Sequence, residues 1–123
     1  MQENENATRR VVDDLVEAWN RGDMNGFVRL FAEDASYITG TGVHWKGREA
    51  IRRGMASTIP GASGAQRVAI SEVGVKSLGA DAAAALVRWR MDAGDRAGLF
   101  TLVTTATPEG WRIVVLHNTD SAA

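Results

Sequence analysis

The chain has 123 residues, with 14 Lys and Arg against 15 Asp and Glu, and no cysteine. This is the size of one domain and can close a core without disulfides. It excludes disulfide frameworks, Cys-ligated zinc, iron–sulfur clusters and thiol nucleophiles. A net charge of −1 gives no basic footprint for nucleic acid or an anionic membrane surface. Met1 to Asn6 is polar and acidic, unlike a targeting segment, and no apolar run approaches the roughly 18 residues of a membrane span. A cytoplasmic protein is therefore expected.

The first periodic segment runs from about Ala7 to Arg21. Val12, Leu15, Val16 and Trp19 recur at helical spacing and share one face. Gly22 is a natural helix stop, and Asp23 can cap a second, shorter helix carrying Phe27, Leu30 and Phe31. Asp34 can end that helical region, with a strand following from Ala35 to Thr39. Gly40 to Gly42 reads as a turn and Val43 to Trp45 as a short return strand. A third helix is predicted from Arg48 to Ser57, with Ile51 and Met55 on one face. Pro60, Gly61, Ser63 and Gly64 predict a flexible loop.

From Gln66 onward the pattern is that of strands. Between Gln66 and Leu78, Val68 and Ile70 lie in one phase and Val73 and Val75 in the other, which predicts a β-bulge and strong curvature. Ala82 to Ala93 alternates Val87, Trp89 and Met91 against Arg88, Arg90 and Asp92. Leu99 to Ala106 and Trp111 to Asn118 complete a meander, with turns at Gly94-Asp95 and Pro108-Glu109-Gly110. The expectation is one α+β domain over residues 1–123, with 1–6 and 119–123 flexible. Three helices from the N-terminal half pack on a curved, mainly antiparallel sheet to form a cone-shaped barrel. A cone open at one end is a default small-molecule site.

The stretches Trp19-Asn-Arg-Gly-Asp23, Leu30-Phe-Ala-Glu-Asp-Ala35 and Gly47-Arg-Glu-Ala-Ile51 resemble the nuclear transport factor 2-like superfamily. That superfamily includes ketosteroid isomerases and SnoaL-like polyketide cyclases. Gly110-Trp-Arg-Ile113 followed by His117-Asn-Thr119 is most similar to its SgcJ/EcaC-type branch, found in natural-product gene clusters. The resemblance implies the cone fold and an apolar, polyketide-like ligand. Laid on this chain, the isomerase base falls on Thr39, its helical Tyr donor on Leu15 and its neutral acid near Thr101 or Leu102. Thr does not accept a proton at neutral pH and Leu donates nothing, so the isomerase acid–base set is absent.

His44, beside Trp45 near the expected mouth, is the candidate base, since histidine titrates near neutral pH. His117 is expected on the convex face. Asn118 shares its face with Leu116, and a buried amide there needs a partner, either a backbone group or a ligand. Tyr37 and Thr39 share a strand face, and Tyr37 can offer a phenol. Leu15, Trp19, Phe31, Met55, Trp89 and Phe100 are expected to wall the cone, with Trp45 at its rim. Two distant histidines make no metal site, no phosphate or dinucleotide loop is present, and no cofactor is expected. Arg88 and Arg90 on an outward face suit a homodimer through the convex sheet.

Three functions are weighed. The leading one is an SgcJ/EcaC-type pocket protein of natural-product or secondary metabolism, non-catalytic or acting by containment. The others are an isomerase or cyclase using His44, and a dimerisation or partner-binding module without ligand.

Overall fold

Apolar side chains at helical spacing, then at alternating spacing, divide the chain into a helical half and a sheet half. The computed structural model describes residues 2–56, 67–92 and 94–121. Helices α1 (Gln2–Arg21) and α2 (Met24–Arg29) precede strands β1 (Phe31–Ile38) and β2 (His44–Lys46), and helix α3 (Arg48–Met55) follows them. Strands β3 (Val68–Ser77), β4 (Ala82–Met91), β5 (Ala97–Thr107) and β6 (Gly110–Asp120) follow. The six strands form one sheet in the order β2-β1-β6-β5-β4-β3. Every pairing is antiparallel except β1 with β6. The α+β reading therefore holds, with three helices on a curved six-stranded sheet. Among the described residues no helix is long and apolar enough to cross a membrane.

The core lies between the helices and the inner sheet face. Val12, Leu15 and Ala18 of α1 meet Ala85, Val87 and Trp89 of β4, Leu102 of β5 and Ile113 and Leu116 of β6. Each large apolar side chain buried there contributes roughly 1.5–3 kcal/mol. The register of β3 on β4 slips between Ile70 and Glu72, so Val68 and Ile70 before the slip and Val73 and Val75 after it all face inward. This is the bulge that the change of phase predicts.

Several boundaries differ from the sequence reading. Helix α1 starts at Gln2 rather than near Ala7, so residues 2–6, expected to be flexible, are helical. Asn4 is buried, donating to Ser77 Oγ and the Gly79 carbonyl. Thr8 Oγ1 meets Thr104 Oγ1 at 2.8 Å. These polar contacts anchor the helix start to the sheet. At the other end, Thr119 and Asp120 belong to β6 because Gly98 and Leu99 pair with them. Phe31 and Asp34 lie in β1, not at the end of a helix. The Ile113 N–H takes the Leu30 carbonyl at 2.8 Å, and Phe31 pairs with Ile113, so the sheet claims the chain there. The loop predicted at Pro60 to Gly64 lies outside the described residues.

The motifs that carry the resemblance are joints. The Asn20 side chain clamps Val68 at the start of β3, donating to its carbonyl at 3.0 Å and accepting from its N–H at 2.7 Å. Asp23 caps α2 by accepting from the Gly26 N–H at 2.9 Å. Arg48 donates twice to the Phe31 carbonyl, at 2.7 and 3.1 Å, tying α3 to the start of β1.

Candidate functional site

Between the helices and the inner sheet face lies a cavity of about 430 Å³, within the usual range of small-molecule sites. Leu15 and Trp19 reach it from α1 and Met55 from α3. Tyr37 and Trp45 reach it from β1 and β2, and Thr39 from the turn between them. Trp89, Phe100, Leu116 and Asn118 line it from the meander. Ten of the eleven residues expected to face a ligand therefore share one cavity.

Phe31 is the exception. It is fully buried, at 0% exposure, and its ring sits 5.5 Å from Phe27 and 5.9 Å from Tyr37. It supports the wall from behind rather than forming it. Phe27, whose own ring packs 6.3 Å from Trp19, takes its place in the lining.

His44 does not reach the cavity. Strand alternation turns Trp45 inward and leaves His44 and Lys46 exposed on either side of it. The candidate base is therefore directed to solvent, and the lining residues of the cavity include no histidine. His117 is exposed on the outer face while Leu116 is buried on the inner one, as alternation predicts.

The polar groups in the lining are few and mostly paired. Trp89 Nε1 donates to Asn118 Oδ1 at 2.9 Å. An indole only donates, so this bond fixes the amide: its oxygen faces Trp89 and its nitrogen faces the other way. Asn118 Nδ2 then donates to Asp120 Oδ1 at 3.3 Å. Arg96 holds the same carboxylate at 3.1 Å and lies 5.7 Å from the centre of the Trp89 ring. The expected partner of Asn118 was a backbone group or a ligand; it is a second side chain of the wall. Arg96 and Asp120, which also line the cavity, were missed because their pairing depends on the register of β5 on β6, which no local pattern encodes.

Two glycines shape the wall. Gly98 lies across from Trp89 in the β4–β5 register, and a Cβ on it would meet the indole at 2.6 Å. A Cβ on Gly54 of α3 would meet the Trp45 ring at 2.2 Å. Both tryptophans lie flat in slots that only glycine leaves open.

Tyr37 stacks on Trp45, with ring centres 5.1 Å apart and planes 26° apart. Burial pushes its phenol up to about 12, because a phenolate would lose its water there. Among the described residues its hydroxyl has no hydrogen-bond partner, and it is not sealed away from the cavity. Thr39 is occupied, accepting from the Val43 N–H at 3.0 Å and meeting Thr41 Oγ1 at 3.2 Å. Among the described residues no group of three or more His, Asp or Glu side chains is placed to hold a metal ion.

The SnoaL-like domain family matches residues 12–119. The chain belongs to this family. A domain of unknown function with a cystatin-like fold from Nostoc punctiforme is 30% identical, with a TM-score of 0.82 over 100% of this chain and 80% of that one. A cystatin-like protein from Caulobacter vibrioides is 20% identical, with a TM-score of 0.88 over 98% of this chain and 91% of the other. An NTF-2 like protein from Shewanella oneidensis is 22% identical, with a TM-score of 0.81 over 94% and 98% of the two chains. No curated protein matches the chain. SnoaL-like membership gives the fold and a cavity suited to a ligand; the same fold hosts many chemistries, so the chemistry rests on the side chains.

Proposed function

We propose that this protein holds an apolar, polyketide-like small molecule in the cone, in natural-product or secondary metabolism, as the SgcJ/EcaC-type branch does. The observation that carries the reading is the cavity itself: about 430 Å³, walled by aromatic and aliphatic side chains, with its one lining carboxylate, Asp120, held by Arg96. A general base must come within hydrogen-bond reach of the proton it removes. His44 faces solvent, which disfavours the isomerase or cyclase reading that depends on it. The function proposed is binding, or catalysis by containment, in which the walls hold a flexible chain in a reactive shape. An open cavity also weighs against a pure partner-binding module with a closed core.

The test is thermal-shift screening with polycyclic and polyene compounds on the native chain and on His44→Ala. The reading expects stabilisation by such compounds and the same stabilisation in the variant. Loss of binding in His44→Ala would return the histidine to the mechanism.

A second copy of the chain is proposed to cover the convex sheet face. Ala84, Val103 and Val115 form a cross-strand row there, beside Leu86 and Thr101. Leu86 and Val115 remain 46% and 40% exposed. A row of small apolar groups on three neighbouring strands is self-complementary about a two-fold axis. Sedimentation of the native chain against Leu86→Asp tests this: a dimer that becomes a monomer supports it, and a native monomer removes it.

A further inference from the structure

We propose that Tyr37 selects the ligand: a flat, neutral compound whose carbonyl or ether oxygen accepts the Tyr37 hydroxyl proton inside the cavity. This rests on the pocket reading above and narrows it to a chemical class.

Most polar groups in the wall are already paired. Asn118 is engaged with Trp89 and Asp120, Asp120 with Arg96, and Thr39 with Val43 and Thr41. The Tyr37 hydroxyl and the Trp45 indole N–H in the lining make no hydrogen bond among the described residues. The indole donates only, and the phenol, which stays protonated, brings a donor that nothing accepts. Their rings are stacked on each other, and Phe31 backs Tyr37 on another side. The Tyr37 ring is therefore held, and the position of its hydroxyl oxygen is set before a ligand arrives.

A donor held in an apolar wall discriminates by what it is left without. A ligand with an acceptor oxygen satisfies it, whereas a pure hydrocarbon displaces water and leaves it unpaired. Among the described lining residues an anionic ligand finds no free cation, since Arg96 is paired with Asp120 at 3.1 Å. Asn118, whose amide keeps one hydrogen beyond its bond to Asp120, adds a second donor. It lies two residues beyond Leu116, the register partner of Tyr37, so about 7 Å further along the strand direction. A compound with a second acceptor oxygen at the far side of a fused ring would reach both.

The test uses a matched set that differs at one carbon: fluorene, fluorenone, fluorenol and fluorene carboxylate. Dissociation constants are measured by calorimetry on the native chain and on Tyr37→Phe, which keeps the ring and removes the hydroxyl. The native chain is expected to bind fluorenone at least about tenfold more tightly than fluorene, and the carboxylate most weakly. Tyr37→Phe should bring the fluorenone-to-fluorene ratio close to one, with fluorene binding more tightly than to the native chain because no donor is then left unpaired. The infrared carbonyl band of fluorenone bound to the native chain should shift to lower frequency, a readout that needs no variant. Equal binding of fluorene and fluorenone, an unshifted carbonyl band, or a ratio kept in Tyr37→Phe would overturn the assignment of Tyr37 and leave the pocket reading standing. Failure of all four compounds to bind would overturn both.

Discussion

The Trp89 indole reaches across the full width of β5 to hold Asn118, with Nε1 and Oδ1 2.9 Å apart. The crossing is possible because the residue beneath the indole is Gly98, the register partner of Trp89. This bond sets which end of the Asn118 amide meets Asp120 and joins β4 to β6 across β5 in one polar line of an otherwise apolar wall. Removing the donor alone tests it. Trp89→Phe keeps a ring and leaves Asn118 Oδ1 without its partner. A stability loss of about 1–2 kcal/mol in urea unfolding is expected. Paired with Asn118→Leu in a double-mutant cycle, the two losses should be less than additive.

Gly98→Ala tests the slot rather than the bond. The added Cβ would lie 2.6 Å from the Trp89 indole and 2.4 Å from the Thr119 carbonyl. Part of the obstruction is backbone, so the strand itself must shift. A loss of about 1–3 kcal/mol is expected, with a change in tryptophan fluorescence as Trp89 leaves its slot. An unchanged unfolding midpoint and spectrum would show that the ring does not lie over Gly98.

Asn20 is the clamp that fixes the start of β3 beside α1. Asn20→Ala deletes both of its bonds to the Val68 backbone. About 1–3 kcal/mol of stability should be lost, and hydrogen exchange at the Val68 amide should accelerate more than at amides in the centre of β4.

Tyr37 is the one tyrosine in the chain, so phenolate absorbance reports it without ambiguity. Its folded value is raised to about 12 by burial, against about 10 in the unfolded chain. The folded state thus holds its proton where the unfolded state has lost it, so stability falls as pH rises from about 10 toward 12 and is unaffected below that window. Spectrophotometric titration should show ionisation near 12 or at alkaline unfolding. Tyr37→Phe should lose less stability over the same window.

His44→Ala should leave stability within about 0.5 kcal/mol of the native chain, as for other exposed side chains. A larger loss in urea unfolding would show a buried contact for that imidazole.

Much of this architecture was legible because it depends on periodicity. Alternation along β4 separates Val87 and Trp89 from Arg88 and Arg90, and the structure buries the first pair and exposes the second. The change of phase in β3 marks the bulge. The spacing of Phe31 from Phe27 mimics a helical repeat, whereas the distant Ile113 N–H donates to the Leu30 carbonyl and draws the chain into the sheet. Alternation also held the answer for His44, since an inward Trp45 forces its neighbour outward. Asn118 announced itself as an amide on an apolar face, but its partner Trp89 lies two strands away in the sheet. The link from Arg96 to Asp120 depends on tertiary register in the same way. Contacts within one element could be read in the sequence; contacts set by the pairing of distant strands could not.

The cone is proposed to bind a small molecule between its tryptophans. The most direct measurement is fluorescence titration of the native chain with polycyclic and polyene compounds, with Trp19, Trp45 and Trp89 in the lining as reporters. The same titration is run on Val16→Phe, a substitution on α1 that projects into the cavity. Saturable quenching at one ligand per chain is expected, with affinity weakened at least about tenfold in the filled variant. No saturable quenching, or equal affinity in Val16→Phe, would contradict binding in the cone.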